Sequence, residues 1–267
     1  MLVQPIVTLN NDYAFGAEER ERLVAIESLW DAGSQALLAE VGLSAGWNCL
    51  ELGAGGGSLV EWMVEQGATV TAIDLDTRFV EHLRSDTVTV VESDIRRTEL
   101  PQAAFDLVHA RLVLEHLVDR RQVFDRLIAA LRPGGWLVVE DFNWSTFAFE
   151  GFDGDEVVNA VEACLTLMRR SGVEVNYGRR MVADLVDAGF VAVRGEGRVR
   201  IVDSTAPGFA FFKHSLESLS DDIVAAGLIS AEQVEFVRRR LEQDARLTTP
   251  MMVAALGRRP QRLSGGR

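Results

Sequence analysis

The chain has 267 residues, 48% of them hydrophobic and 25% charged, with a formal net charge of −13. That is the balance of a globular protein with one domain, or one domain plus an embellishment. The acidity disfavours a nucleic-acid partner, since a negative surface repels a phosphate backbone. No apolar run approaches the ~20 residues of a membrane span, and Met1-Leu2-Val3-Gln4-Pro5 lacks a signal peptide's layout, so a cytoplasmic protein is expected.

Residues 1–12 read as a loose arm. Tyr13-Ala14-Phe15-Gly16 precedes a helical stretch from Ala17 to Trp30, and a second helical segment, Ala32 to Val41, leads into the first strand. That strand, Asn48-Cys49-Leu50-Glu51-Leu52, ends in a carboxylate and runs into Gly53-Ala54-Gly55-Gly56-Gly57-Ser58. An amphipathic segment, Leu59 to Glu65, follows. The pattern is strand, tight glycine turn, helix. Glycine serves where the backbone needs a positive φ or must lie against a ligand, and the next helix offers its unpaired N–H groups.

A second strand, Thr69 to Asp74, again ends in an acid about 20 residues on, where a ribose-binding carboxylate is expected in a nucleotide fold. Thr77 to Arg84 reads as a helix with Thr77 as N-cap. A third strand, Val88 to Ile95, contains Asp94 near its end. In an open α/β sheet such strand ends converge on one crevice, so Glu51, Asp74 and Asp94 point to a nucleoside pocket. Phe105 to Arg111 reads as the fourth strand. Asp119 can cap a helix through Leu131, stopped by Pro133-Gly134-Gly135, and Trp136 to Glu140 forms the fifth strand.

The stretch from Asp141 to Phe152 holds five aromatics. It serves either as an apolar wall of the crevice or as packing for an added helix, Asp155 to Arg170. Arg179 to Ala188 reads as a last crossover helix, and Phe190 to Val202 as one strand. Helical insertions fill 203–249, including Ala231 to Arg246. Pro250 to Gly257 is a closing strand, with a disordered tail from Arg258. Cys49 and Cys164 lack metal-ligand spacing and read as free buried thiols; no metal is expected.

Five of these motifs, in this order, resemble the class I S-adenosylmethionine-dependent methyltransferases. Glu51-Leu-Gly53-Ala-Gly55-Gly-Gly57 is similar to that family's first motif, and Asp74 to its ribose acid. Asp94-Ile95 is similar to the pair flanking the adenine. Phe105 to Arg111 resembles the family's fourth strand, and Leu131 to Leu137 the turn into its fifth. The resemblance spans about 45–140. It implies an α/β, Rossmann-like, seven-stranded, mostly parallel sheet with the last strand antiparallel and helices on both faces. An N-terminal helical arm (1–42) and insertions at about 142–180 and 203–249 would form a helical lid on the domain at 43–267.

The same resemblance implies S-adenosylmethionine as cofactor, leaving as S-adenosylhomocysteine, held by Glu51, Gly53, Ala54, Gly55, Asp74, Leu75, Asp94, Ile95 and the backbone at Ala110. Tyr13 would fold over the cofactor's methionine end, or else anchor the arm to the sheet. Glu51 would hold the cationic amino group, directly or through water, or else accept hydrogen bonds from the glycine turn.

Methyl transfer from a sulfonium is an in-line displacement with a neutral leaving group, so no acid is needed, only a base for an O–H or N–H nucleophile. Histidine titrates near the operating pH, and His116 and His109 flank the segment after the fourth strand. Both are candidate bases, with hydrogen bonding in the cleft wall as the alternative; Asp141 is a third candidate. There is no Pro-Cys dipeptide and no Asn- or Asp-Pro-Pro segment, which disfavours pyrimidine-C5, adenine and glutamine methylation. The partner expected is a small apolar or aromatic acceptor, methylated on O, N or C by a monomer or homodimer. The alternatives are a nicotinamide-dependent oxidoreductase, disfavoured by the lack of a Tyr-x-x-x-Lys pair, and a cofactor-binding module without turnover.

Overall fold

A computed structural model describes residues 17–150, 155–243 and 245–261. In chain order, helix α1 (Ala17–Glu40) leads to β1 (Asn48–Leu52), α2 (Ser58–Glu65), β2 (Thr69–Asp74), β3 (Val88–Glu92), β4 (Phe105–Arg111), α3 (Arg120–Ala130) and β5 (Leu131–Asn143). Then come β6 (Ala148–Glu150), α4 (Glu156–Arg170), α5 (Met181–Asp187), β7 (Val191–Arg198), β8 (Ile201–Asp203), α6 (Phe209–Ala225), α7 (Ala231–Leu241), β9 (Arg246–Thr248) and β10 (Met251–Arg258).

Two compact units emerge. One holds Trp30–Asn143, Asn176–Arg198 and the described residues from Met252. Its sheet runs β3-β2-β1-β4-β5-β10-β7. The pairs β1/β2, β2/β3, β1/β4 and β4/β5 are parallel, while β10 and β7 are antiparallel. Strand alternation sends Leu50, Leu52, Val108, Ala110, Leu137 and Val139 to one face, against α3 and α5. Cys49, Leu107 and Val138 go to the other, against Leu37 and Leu38 of α1 and Val60 and Met63 of α2. Both faces are covered, so the strands are near-continuous apolar runs. A carboxylate or imidazole inside such a run is therefore a local exception that needs its own partners.

The other unit gathers the described residues up to Leu29 and those within Trp144–Val175 and Val199–Met251. It contains the antiparallel sheet β6-β9-β8 and helices α4, α6 and α7. Trp144, Phe147, Phe149 and Phe212 pack together here, with Phe147 stacked on Phe212 at 5.2 Å. Phe142, by contrast, lies in the sheet unit, edge-on to Trp30. Packing thus accounts for the aromatics that are described, and Phe152 lies outside the described residues.

Several elements differ from the sequence-based expectation. The two N-terminal helical segments form one continuous helix, α1. Thr77 to Arg84 is not an α-helix: only Glu81–Leu83 makes a 3-10 turn, and Thr77 Oγ1 donates to Glu92 instead of capping. Asp119 sits at the N-cap of α3 without a capping hydrogen bond from its side chain. Helix α3 stops at Ala130, before Pro133, and Leu131 already pairs with Phe105. The expected strand Phe190 to Val202 divides into β7 and β8, which belong to different sheets.

Candidate active site

The first motif folds as a left-handed turn. Gly53, Gly55 and Gly57 have φ of 71°, 55° and 92°, a region that L-residues with a Cβ avoid. At Gly53 a Cβ would also lie 2.4 Å from Val113 Cγ2. Helix α2 begins at Ser58, directly after this turn. Ala54 is half-buried beside the glycines.

Asp74, at the carboxyl end of the neighbouring strand β2, ties the turn down. Its Oδ2 accepts the Gly55 N–H at 2.8 Å and its Oδ1 accepts the Asp76 N–H at 3.1 Å. Burial pushes its carboxyl up, and the backbone N–H groups of Gly55, Asp76 and Leu75 pull it back down. An ionised carboxylate offers about four lone-pair positions, so two remain for further donors. Leu75 is exposed beside it. Clamping the glycine turn, one of the two roles open to Glu51 from sequence, is carried out by Asp74.

Glu51 has a different neighbour. It lies on β1 directly opposite His109 of β4, and His109 Nδ1 contacts its Oε2 at 2.7 Å. The other ring nitrogen, Nε2, lies 3.0 Å from Glu140 Oε1 on β5. Glu140 Oε2 in turn pairs with Arg198 at the end of β7. Glu51, His109 and Glu140 are buried, so a chain of four polar side chains crosses the sheet within otherwise apolar strands. With both nitrogens occupied and no exposed surface, His109 has no atom to offer an acceptor substrate.

His116 stands apart from it. The 3-10 turn Leu114–His116 follows β4, and the His116 side chain is 49% exposed, with Nε2 3.4 Å from Glu115 Oε1. Glu115 is buried and accepts the Phe142 N–H on Oε2 at 3.2 Å. Burial pushes its carboxyl up to about 8. Asp141 is driven well above the usual carboxylate range, first by burial and then by Glu115. The backbone N–H groups of Glu115 and Val113 face Asp141 but make no hydrogen bond of good geometry with its oxygens. Two buried acids side by side thus retain protons where exposed ones would not.

The remaining positions divide. Asp94 follows β3 and is held by Arg96, whose guanidinium keeps its carboxyl below the usual range. Ile95 is buried in the core cluster of the α3 face. Ala110 is buried on β4 between Leu52 and Val139. Tyr13 lies outside the described residues. The structure brings Glu51, Gly53, Ala54, Gly55, Asp74 and Leu75 together at adjacent strand ends. Glu140 and Arg198 were missed from sequence. Glu140 is the signal that was there to find, an acid inside an apolar run, whereas Arg198 lies at the end of a strand whose neighbour is fixed only by topology.

Residues 50–139 match the methyltransferase domain family. Over that segment the chain is similar to methyltransferase domains. It is 31% identical over 154 residues to the methyltransferase str2 of Strobilurus tenacellus, covering 54% of this chain and 53% of the relative. It is 32% identical over 112 residues to the ubiquinone biosynthesis O-methyltransferase of Paracidovorax citrulli, covering 39% and 47%. The chain therefore spans about half the length of these curated relatives. Among solved structures, the Haemonchus contortus phosphoethanolamine N-methyltransferase 2 in complex with S-adenosyl-L-methionine shares the fold. Its TM-score is 0.54 at 17% identity, over 90% of this chain and 57% of that one. Among the described residues no helix is long and apolar enough to cross a membrane, and no group of three His, Cys, Asp or Glu is placed to hold a metal ion.

Proposed function

We propose that this protein is an S-adenosylmethionine-dependent methyltransferase acting on a small, apolar or aromatic hydroxyl-bearing metabolite. The observation that carries the reading is Asp74: an acid at the end of β2, bonded to the glycine turn at the end of β1, with lone pairs left to accept two ribose hydroxyls. The residues present fit the cofactor, since the turn places three left-handed glycines beside that carboxylate. The relative named as a ubiquinone biosynthesis O-methyltransferase supports an oxygen acceptor, and the matched segment contains the whole strand-end constellation from Glu51 to Ala110.

When bound, S-adenosylmethionine supplies the transferable methyl. The chain's own work is to hold, orient and take a proton. Asp74 would hold the ribose, the backbone around Asp94 and Ile95 would flank the adenine, and Glu51 would meet the amino group. His116 is the proposed base for the acceptor hydroxyl, being an exposed histidine at the carboxyl end of β4. His109 is not assigned that role, because both its nitrogens are engaged within the sheet.

The test is calorimetric titration with S-adenosylhomocysteine and, as control, NADH, followed by a screen of phenols, hydroquinones and amines. Selective binding of S-adenosylhomocysteine with methylation of a phenolic hydroxyl is the expected result. Selective NADH binding would overturn the reading, and methylation of amines alone would overturn its oxygen assignment.

A further inference from the structure

The four-residue chain through the sheet is costly unless it serves something. Burying carboxylates without compensation is strongly unfavourable, and apolar residues of similar volume usually serve stability as well or better. Yet three adjacent parallel strands each contribute one polar side chain to the same face: Glu51 from β1, His109 from β4 and Glu140 from β5. Arg198 closes the far end, and α1 makes room for it. A Cβ at Gly33 would lie 1.6 Å from Arg198 Nη1.

The hydrogen-bond inventory gives this chain a direction. Carboxylate oxygens accept and do not donate, so oxygens on both ring nitrogens are satisfied only when both nitrogens carry a proton. The ring then donates to Glu51 and to Glu140, and Arg198 donates to the second oxygen of Glu140. Donors and acceptors alternate along the chain, and the last acceptor, Glu51, stands two residues before Gly53. Held by Nδ1–H at Oε2, its side chain is fixed in rotation.

We infer that His109 is a positioning residue for cofactor binding: backed by Glu140 and Arg198, it holds the Glu51 carboxylate in the orientation that receives the cationic amino group of the cofactor. The inference rests on the proposed reading of Glu51 as the amino-group ligand. A rotationally free carboxylate would pay an ordering cost each time it met that group, and preorganisation removes it. The effect should be confined to the amino-acid end of the ligand, because the adenosine end is assigned to Asp74 and the segment after β3.

That confinement makes the inference testable with two probes. S-Adenosylhomocysteine carries the amino group; 5′-methylthioadenosine has the same nucleoside and thioether but lacks the amino-acid end. Dissociation constants for both would be measured by calorimetry on the full chain and on Glu51→Gln, His109→Gln and Glu140→Gln, with melting curves as a check on folding. The expected result is that His109→Gln weakens S-adenosylhomocysteine about tenfold or more, the scale of a charge-assisted hydrogen bond, and leaves methylthioadenosine within about twofold. Glu140→Gln should shift the ratio in the same direction by less.

If His109→Gln does not fold, Glu140→Gln decides, since its amide still reaches Nε2 while the anchoring charge is gone. Equal weakening of both ligands would mean a merely structural role and overturn the inference. If Glu51→Gln weakens S-adenosylhomocysteine but neither relay variant does, the relay is wrong and Glu51 stands. If Glu51→Gln leaves the ratio unchanged, the amino-group reading of Glu51 fails and the inference falls with it. If the unaltered chain binds neither probe, the proposed function itself fails.

Discussion

Asp74 concentrates two roles in one carboxylate, and they can be separated. One oxygen holds the Gly55 N–H and so shapes the turn; the lone pairs left over are those offered to the ribose. Asp74→Ala removes both, and S-adenosylhomocysteine affinity should fall by on the order of 100-fold, the loss of two hydrogen bonds to a charged group. Asp74→Asn keeps an acceptor oxygen for Gly55 but loses the charge, so a smaller loss is expected. Calorimetry of the two variants side by side checks the order. An Asp74→Ala chain that bound as well as its parent would remove the acid from the pocket.

Glu115 illustrates the opposite case, a carboxyl whose folded environment favours the proton. Its value rises from an ordinary 4.5 to about 8 because of burial, with Asp141 pressed against it. Between those values the folded chain holds a proton that the unfolded chain has lost, so stability falls as pH rises across the window and levels off above it. Glu115→Gln removes the titration while leaving an amide oxygen for the Phe142 N–H. The variant should melt higher than its parent at pH 8 by a few degrees, roughly the effect of 1–2 kcal/mol in a chain of this size. It should show a flatter melting profile between pH 5 and 8. A parent whose melting temperature did not decline over that range would contradict the buried proton.

At the scale of elements, α1 and β7 meet where Gly33 lacks a side chain as well as through the Arg194–Glu40 ion pair. Gly33 lies inside a 24-residue helix, where Gly to Ala ordinarily gains up to about 1 kcal/mol. Here the added methyl would strike the Arg198 guanidinium. That group is a flexible side-chain end, but it is tied to Glu140, so moving it leaves a buried carboxylate without its guanidinium. Gly33→Ala should therefore destabilise, by roughly 1–3 kcal/mol. In an Arg198→Ala background the same change should become neutral or stabilising. Denaturant midpoints of the four chains measure that coupling, and additive effects would show that Gly33 and Arg198 do not depend on each other.

Which elements were legible from sequence follows from how local their causes are. The glycine turn and its flanking acids could be read because strand, carboxylate, glycines and helix are contiguous, and Asp74 sits 19 residues from the Gly55 N–H it accepts. The relay could not be read. His109 lies 58 residues from Glu51 and 31 from Glu140, and only the strand order places them in line. Strands β6, β8 and β9 have three residues each, too short for an alternating pattern to register. Helix α1 reads from sequence as two segments meeting at Asp31, but it runs unbroken from Ala17 to Glu40. Thr77 looked like a cap, but its hydroxyl bonds to Glu92 on the neighbouring β3 instead.

At the scale of the whole molecule, the chain passes between the two compact units five times, at Leu29/Trp30, Asn143/Trp144, Val175/Asn176, Arg198/Val199 and Met251/Met252. Neither unit is a contiguous segment, and one crossing lies within α1 and another within β10. Unfolding one unit thus frees the ends of elements that the other needs, and a single cooperative thermal transition is expected. All the proposed cofactor ligands among the described residues belong to one unit, so a ligand that binds there should move that whole transition. At about 100 times its dissociation constant, S-adenosylhomocysteine adds roughly 2.7 kcal/mol, or about 5–10 °C in a chain of this length. Differential scanning calorimetry distinguishes the possibilities. One peak shifting as a unit supports a cooperative molecule with its site in the seven-stranded unit. Two peaks of which only one responds would show that the second unit folds independently despite its interrupted chain.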